Sequence, residues 1–580
     1  MKKFTISYFV IFLAGIFALS SCGGLDKMKK AADQVKYEAT PKVLELKGNT
    51  VDVSFKATFP AKFFNKKAIL EMTPVLVYNN QELPLEKGIV QGEKVEGNNK
   101  SIKYVEGGSY SWPSKAASFE YKDDMRVSQV VIRPSVYIAG KEAAKLALPP
   151  VKVADGIIAT QKLVKIDAKP ITMEDKFVRT TSDKYESQIL YVINRSDVRP
   201  SEVKKPEIAG LNDYIKSTKD NPSKQLKGIE ILAYASPDGP MDLNDKLSKA
   251  RQKSASEYLQ KELKKAKISE ADKKELWSLM ATPEDWEGFK ALMEKSDIKD
   301  KELVLRVLSM YSDPNVREKE IKNMAKTFEE IAQKILPQLR RSRMIAKVDV
   351  VGRSDEEIMS TFQSNPSALS LEELLYAGGK LTNDLATKQA IFEKAVEMFP
   401  NCFRAHNNLG CVYLWQNKLD LAQKEFQAAQ AIKETDQTKS NLGYVALLKG
   451  DYATAENLFT SVARNVEVAN YGLGIINITK GDYETAVKFL GNTPEFNTAL
   501  AKALNKDNEG AMAVLNNVKG DEALVAYLKA VLGARMDNSE VVFNNLRVAV
   551  AKDPSMKKMA ATDMEFGKFL TNDVFKSIVQ

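Results

Sequence analysis

The feature of this 580-residue chain that most constrains its fold is a self-similarity in its C-terminal third. Lys-Gly-Asp-Tyr stands at 449–452 and again at 480–483, and the sequence before each copy repeats as well. Leu409, Gly410, Ala422, Phe426 and Ala429 are echoed by Leu442, Gly443, Ala455 and Phe459, then by Leu473, Gly474 and Ala486. A period of about 34 residues with small and bulky positions at fixed offsets describes two-helix units, each burying its apolar face on the next. Gly and Ala let the helices of one unit close, and Tyr and Phe fill the gaps between units. Weaker echoes flank these units: Phe392, Ala395 and Pro400 before them, Ala549 and Pro554 after. The pattern predicts an all-α solenoid over 372–556 and a cap or tail over 557–580.

These residues resemble the tetratricopeptide repeat. The resemblance implies a concave face that binds a segment of another protein, left unidentified because the groove shows no single-sign stripe. His406, the chain's one histidine, falls where the repeat puts a bulky core-facing residue and reads as packing. Cys402 and Cys411 are nine residues apart on helical sequence, about 13 Å along the axis and on opposite faces, so no disulfide is expected between them. With one histidine and no GxSxG, HExxH, phosphate-loop or dinucleotide fingerprint, the sequence recommends no enzyme, metal or cofactor. A wall-acting hydrolase with a carboxylate pair stands as a distant third reading.

Residues 1–21 have the layout of a secretory signal: Lys2 and Lys3, the apolar run "YFVIFLAGIFAL", then small residues. The run is too short to span a bilayer. Leu19-Ser20-Ser21-Cys22 resembles a bacterial lipobox, which implies acylation (palmitate among the chains) at Cys22 and a membrane attachment through lipid alone. Loss of Lys2 and Lys3 with the signal takes the formal charge from +9 to +7. Charges of both signs are interleaved, as in "REKEIKNMAK" at 317–326, which describes a solvated surface rather than a nucleic-acid footprint.

After a lipid-anchored linker at 22–35, residues 36–175 keep a period of two. "TVDVSFKATF" at 50–59 alternates apolar and polar positions, and Asn79-Asn80 marks a turn between two strand-like runs. "IIATQKLVKIDAKPI" at 157–171 continues the alternation. An antiparallel β-sandwich is expected, its role unreadable.

Over 185–355 the order is strand, helix, strand, helix and final strand, with Leu243, Leu247, Ala250, Tyr258 and Leu263 as a helical stripe and Asp242 placed as its cap. "SDVRP" after the first strand, "LNDKLSKAR" at 243–251 and "RRSRMIAKVDV" at the end resemble the OmpA C-terminal domain of envelope proteins, over about 170 residues. The resemblance implies an α+β fold and a site for the diaminopimelate residue of peptidoglycan stems. There an aspartate meets the ammonium and an arginine forks onto the carboxylate. Asn244 and Arg251 stand at matching positions; Ser236 occupies the aspartate's place, and Asp238 is the nearest acid. The stretch 264–336 reads helical throughout, an insertion where the family has a third strand.

The expected protein is thus a multidomain, non-enzymatic lipoprotein of the outer membrane of a Bacteroidetes-type envelope, facing the periplasm. It would tether peptidoglycan through Ser236, Asp238, Asn244 and Arg251 and hold a protein on its solenoid. The alternative is a subunit of an outer-membrane secretion or assembly machine whose OmpA-like domain docks protein and leaves peptidoglycan alone.

Overall fold

The computed structural model describes residues 19–520 and 522–580, without the side chains of 19–23, 220 and 270. The signal therefore lies outside the described residues through position 18, as does the side chain of the lipidation candidate Cys22. The chain divides into two compact units: residues up to Met173 together with Lys388–Gln580, and Glu174–Thr387.

In the first unit, period-two alternation becomes a sandwich. Val51, Val53, Phe55, Ala57 and Phe59 on strand Thr50–Phe59 all face inward and are buried. Full burial is worth about 1.5–3 kcal/mol for each of the larger ones. That strand pairs antiparallel with Lys36–Thr40, Leu44–Lys47 and Gly108–Glu120. The facing sheet centres on Ala68–Tyr78, which pairs antiparallel with Ser128–Ile138, Gly88–Gly92 and Gln81–Pro84. Leu70, Met72, Leu76, Val130 and Ile132 complete one core with the first sheet. Asn79 and Asn80, both at positive φ, make the expected tight turn.

Among the described residues, five consecutive helix pairs form the repeats of the same unit: Phe403–Trp415 with Leu419–Ile432, Asp436–Leu448 with Tyr452–Val462, Glu467–Lys480 with Tyr483–Leu490, Phe496–Leu504 with Asn508–Leu515, and Ala523–Arg535 with Ser539–Lys552. A Cβ on Gly410 or Gly443 would lie 2.6 or 2.7 Å from the ring of Phe426 or Phe459, which is why the first helix of these pairs carries glycine there. The fourth pair escapes the sequence pattern because its helices have only nine and eight residues. His406 is buried, its Nδ1 2.7 Å from Glu425 Oε2 and its Nε2 3.0 Å from the carbonyl of Pro400. Cys402 and Cys411 are both free and buried.

Sandwich and repeats are built against each other. The Gln161 side chain bonds both backbone groups of Gly48 (2.8 and 3.0 Å), the carbonyl of Thr479 (3.1 Å) and the Tyr483 hydroxyl (2.6 Å). Gly48 and Gly481, at φ +64 and +79, meet so closely that a Cβ on Gly481 would lie 2.6 Å from Gly48 N. Farther along, Glu565 takes Arg535 and the Thr160 hydroxyl, and Asp563 takes the Tyr527 hydroxyl at 2.7 Å with Arg126 at 3.7 Å.

The second unit has a four-stranded sheet ordered Thr180–Leu190, Arg341–Val351, Lys224–Tyr234, Trp277–Thr282; only the last pair is parallel. Helices Pro206–Asp220 and Met241–Lys265 pack on it through Ile208, Leu211, Ile215, Ala255, Leu259 and Leu263. Trp277–Thr282 corrects the expectation of continuous helix over 264–336. Its edge position leaves Leu279 and Met280 exposed, so it lacks a buried face that would impose alternation. Helices between Trp286 and Lys334 have their own core of Phe289, Met293, Val304, Ile321 and Ile331. Among the described residues no helix is long and apolar enough to cross a membrane.

Candidate functional site

Helix Met241–Lys265 turns an unusual face inward. Asn244, Ser248 and Arg251 are buried ahead of Ala255, Leu259 and Leu263, so its first half is polar where it meets the sheet. The expected stripe is corrected on this point: Leu243 is exposed, at 40%. Asp242 does not cap the helix either; Pro240 is the N-cap, with no side-chain bond, because the preceding loop is closed by Asn244 instead. Asn244 Nδ2 donates to the carbonyls of Ser236 (3.1 Å) and Gly239 (3.0 Å), folding residues 236–239 over the helix end.

Arg251 is 1% exposed. Its guanidinium donates to the carbonyls of Arg195 (3.0 Å), Tyr234 (2.9 Å) and Val192 (3.4 Å) and lies over the Tyr191 ring at 5.2 Å. Burial pushes its pKa down to about 10, since a buried cation loses hydration that carbonyl dipoles replace only in part. Asp238 and Ser236 come together as well: Ser236 Oγ donates to Asp238 Oδ1, and Arg340 reaches Ser236 Oγ (3.1 Å) and Asp238 Oδ2 (3.2 Å). All four residues carried over from the resemblance thus lie around one loop, but with two distinct sets of partners. Arg251 ties the loop after the first strand to the end of the second, and Asp238 is neutralised by Arg340.

The second site is the concave face of the solenoid. Along it runs a segment of the same chain, residues 164–173, here termed the strap, which the sequence pattern did not reveal. Three asparagines on first helices each bond both backbone groups of one strap residue. Asn497 takes Lys165 (2.9 and 2.8 Å), Asn441 takes Ile171 (2.8 and 2.9 Å) and Asn408 takes Met173 (2.7 and 2.9 Å). Asn407 Nδ2 adds a bond to the carbonyl of Ile171 (2.9 Å). Between these rungs Asp167 accepts from the Tyr471 hydroxyl (2.8 Å), and burial pushes its carboxyl up. Lys169 pairs with Glu495 (2.6 Å) over the Tyr471 ring, and Lys165 pairs with Glu522. The alternation read as a strand over 157–171 therefore has another cause. Only Ile157–Ile158 is strand; beyond Leu163 the segment belongs to no sheet or helix, and side-chain amides supply the backbone hydrogen bonds of Lys165, Ile171 and Met173.

Arg340, Tyr191 and the asparagines escape sequence reasoning. Arg340 lies 102 residues from Asp238. The asparagines did leave a signal, since Asn408 and Asn441 each directly precede the Leu-Gly of the repeat. Among the described residues no three His, Cys, Asp or Glu side chains assemble as a metal site.

No family model and no curated protein matches the chain. Among solved structures it is similar to pilF of Pseudomonas aeruginosa, at 14% identity over 37% of this chain and 98% of that one, with a TM-score of 0.28. It is similar to a tetratricopeptide repeat protein of Parabacteroides merdae, at 15% over 36% and 91%, TM-score 0.29. A third is yeast Tom70, at 12% over 64% and 88%, TM-score 0.27. At these scores the repeat architecture stands on the helix pairs themselves.

Proposed function

We propose that this chain is a non-enzymatic scaffold, an outer-membrane lipoprotein acylated at Cys22 and facing the periplasm, whose α+β unit docks protein and does not grip peptidoglycan. The observation that carries this reading is that both charges a zwitterionic stem residue would need are engaged from within. Arg251 is spent on three backbone carbonyls and Asp238 on Arg340. A wall ligand would have to break those bonds and the Arg340–Asp238 pair first, at about 1 kcal/mol or more for each hydrogen bond lost. The loop that Arg251 holds carries exposed Val192 and Ile193, and the first turn of the helix adds exposed Met241 and Leu243, which suit a protein surface better than a polar stem peptide.

The test is co-sedimentation of the mature, unlipidated protein with purified peptidoglycan. The protein is expected to stay in the supernatant, with Asp238→Ala and Arg251→Ala unchanged. Sedimentation of the wild type that either substitution abolishes would restore the tether reading.

A further inference from the structure

The strap is held in the way a bound peptide is held. Asn408, Asn441 and Asn497 contact only its main chain, and a side-chain amide that accepts from an N–H and donates to the adjoining C=O has no preference for the residue between them. Selectivity comes from strap side chains, with two exposed glutamates, Glu522 for Lys165 and Glu495 for Lys169, four residues apart on the strap, and the Tyr471 hydroxyl for Asp167 between them. Apolar anchoring is slight, because every strap residue from Val164 to Met173 is at least partly exposed. Nor does the strap fill its groove. Beside Lys169 a cavity of about 360 Å³ remains, lined by Val468, Tyr471, Phe489 and Leu490 among others.

We infer that the strap is an exchangeable occupant in cis, and that the groove takes in its place an extended segment of a partner protein with lysines at positions i and i+4. The charge complementarity of Glu495 and Glu522 identifies that segment, and the asparagine ladder requires it to be extended. In the resting chain the strap lowers the groove's apparent affinity by the fraction of time the groove stands open. The inference rests on the scaffold reading only in taking the partner to be protein. Peptidoglycan binding at Asp238 would defeat that reading and leave the following titration untouched.

The probe is a fluorescent peptide of residues 164–173, titrated into the intact mature protein. Lys165→Ala with Lys169→Ala in the chain weakens the strap and spares the groove, so this variant is expected to bind the peptide at least roughly tenfold tighter than wild type. Asn441→Ala added to that background, or a peptide lacking both lysines, is expected to lose most of the gain. A double variant with unchanged circular dichroism and cooperative unfolding that does not bind at millimolar peptide would overturn the inference, as would binding indifferent to Asn441. Should the variant fail to fold, wild type decides by hydrogen exchange. Saturating peptide is expected to speed exchange at the amides of Ile171 and Met173, and unchanged exchange would overturn the inference.

Discussion

Arg251 stands where a ligand-binding arginine was expected, and it does structural work there. Two of its carbonyl partners, Val192 and Arg195, lie on the loop after the first strand and the third, Tyr234, ends the second strand, so one guanidinium ties the two together. Arg251→Ala would remove three hydrogen bonds and leave a cavity where its buried side chain stood, and is expected to destabilise the α+β unit by about 3 kcal/mol, read by urea denaturation of the intact chain. A loss well under 1 kcal/mol would mean that the loops hold without it. The resemblance to the OmpA C-terminal domain picked out Arg251, Ser236, Asp238 and Asn244 as one cluster around a loop. What each of them bonds was not, because Arg340, Tyr191 and the 192–195 carbonyls reach the site from other parts of the chain.

At the scale of elements, the twin Lys-Gly-Asp-Tyr turns separate what a repeat pattern encodes from what it hides. Gly450 and Gly481 have the same φ of +79, and an alanine at either would strain the left-handed backbone by about 1–2 kcal/mol. A Cβ on Gly450 meets nothing within 4 Å, whereas one on Gly481 lies 2.6 Å from Gly48 N of the sandwich. Gly481→Ala is therefore expected to cost at least about 1 kcal/mol more than Gly450→Ala in thermal unfolding. Equal losses would show that the Gly48 contact is not held tightly. The repeat pattern showed the helices and their Gly–Phe closures but could not show which turn another module covers. Likewise the Trp277–Thr282 strand sits on a sheet edge with little buried surface, and the strap alternates without belonging to any sheet. Periodicity reports which faces are covered and says nothing of what covers them.

Across the first unit, sandwich and repeats share a buried cluster around Asp563, whose carboxyl burial pushes up despite Arg126 and the Tyr527 hydroxyl. An unfolded aspartate titrates at about 4. With the folded value raised, the folded state holds this proton more tightly, so the carboxyl's own contribution to stability is full at pH below the unfolded value and is lost as pH rises through the folded one. Asp563→Asn has no such titration, and its melting temperature relative to wild type is expected to rise between about pH 4 and pH 6. A relative fall over that range would mean that attraction to Arg126 outweighs burial. In the same unit the strap occupies the concave face of the solenoid, which amide hydrogen exchange at Lys165, Ile171 and Met173 of the intact mature protein reads residue by residue. Protection well above that of an unstructured segment is expected at all three, lost at Ile171 in Asn441→Ala; exchange at the unstructured rate in wild type would contradict the account and leave the groove open.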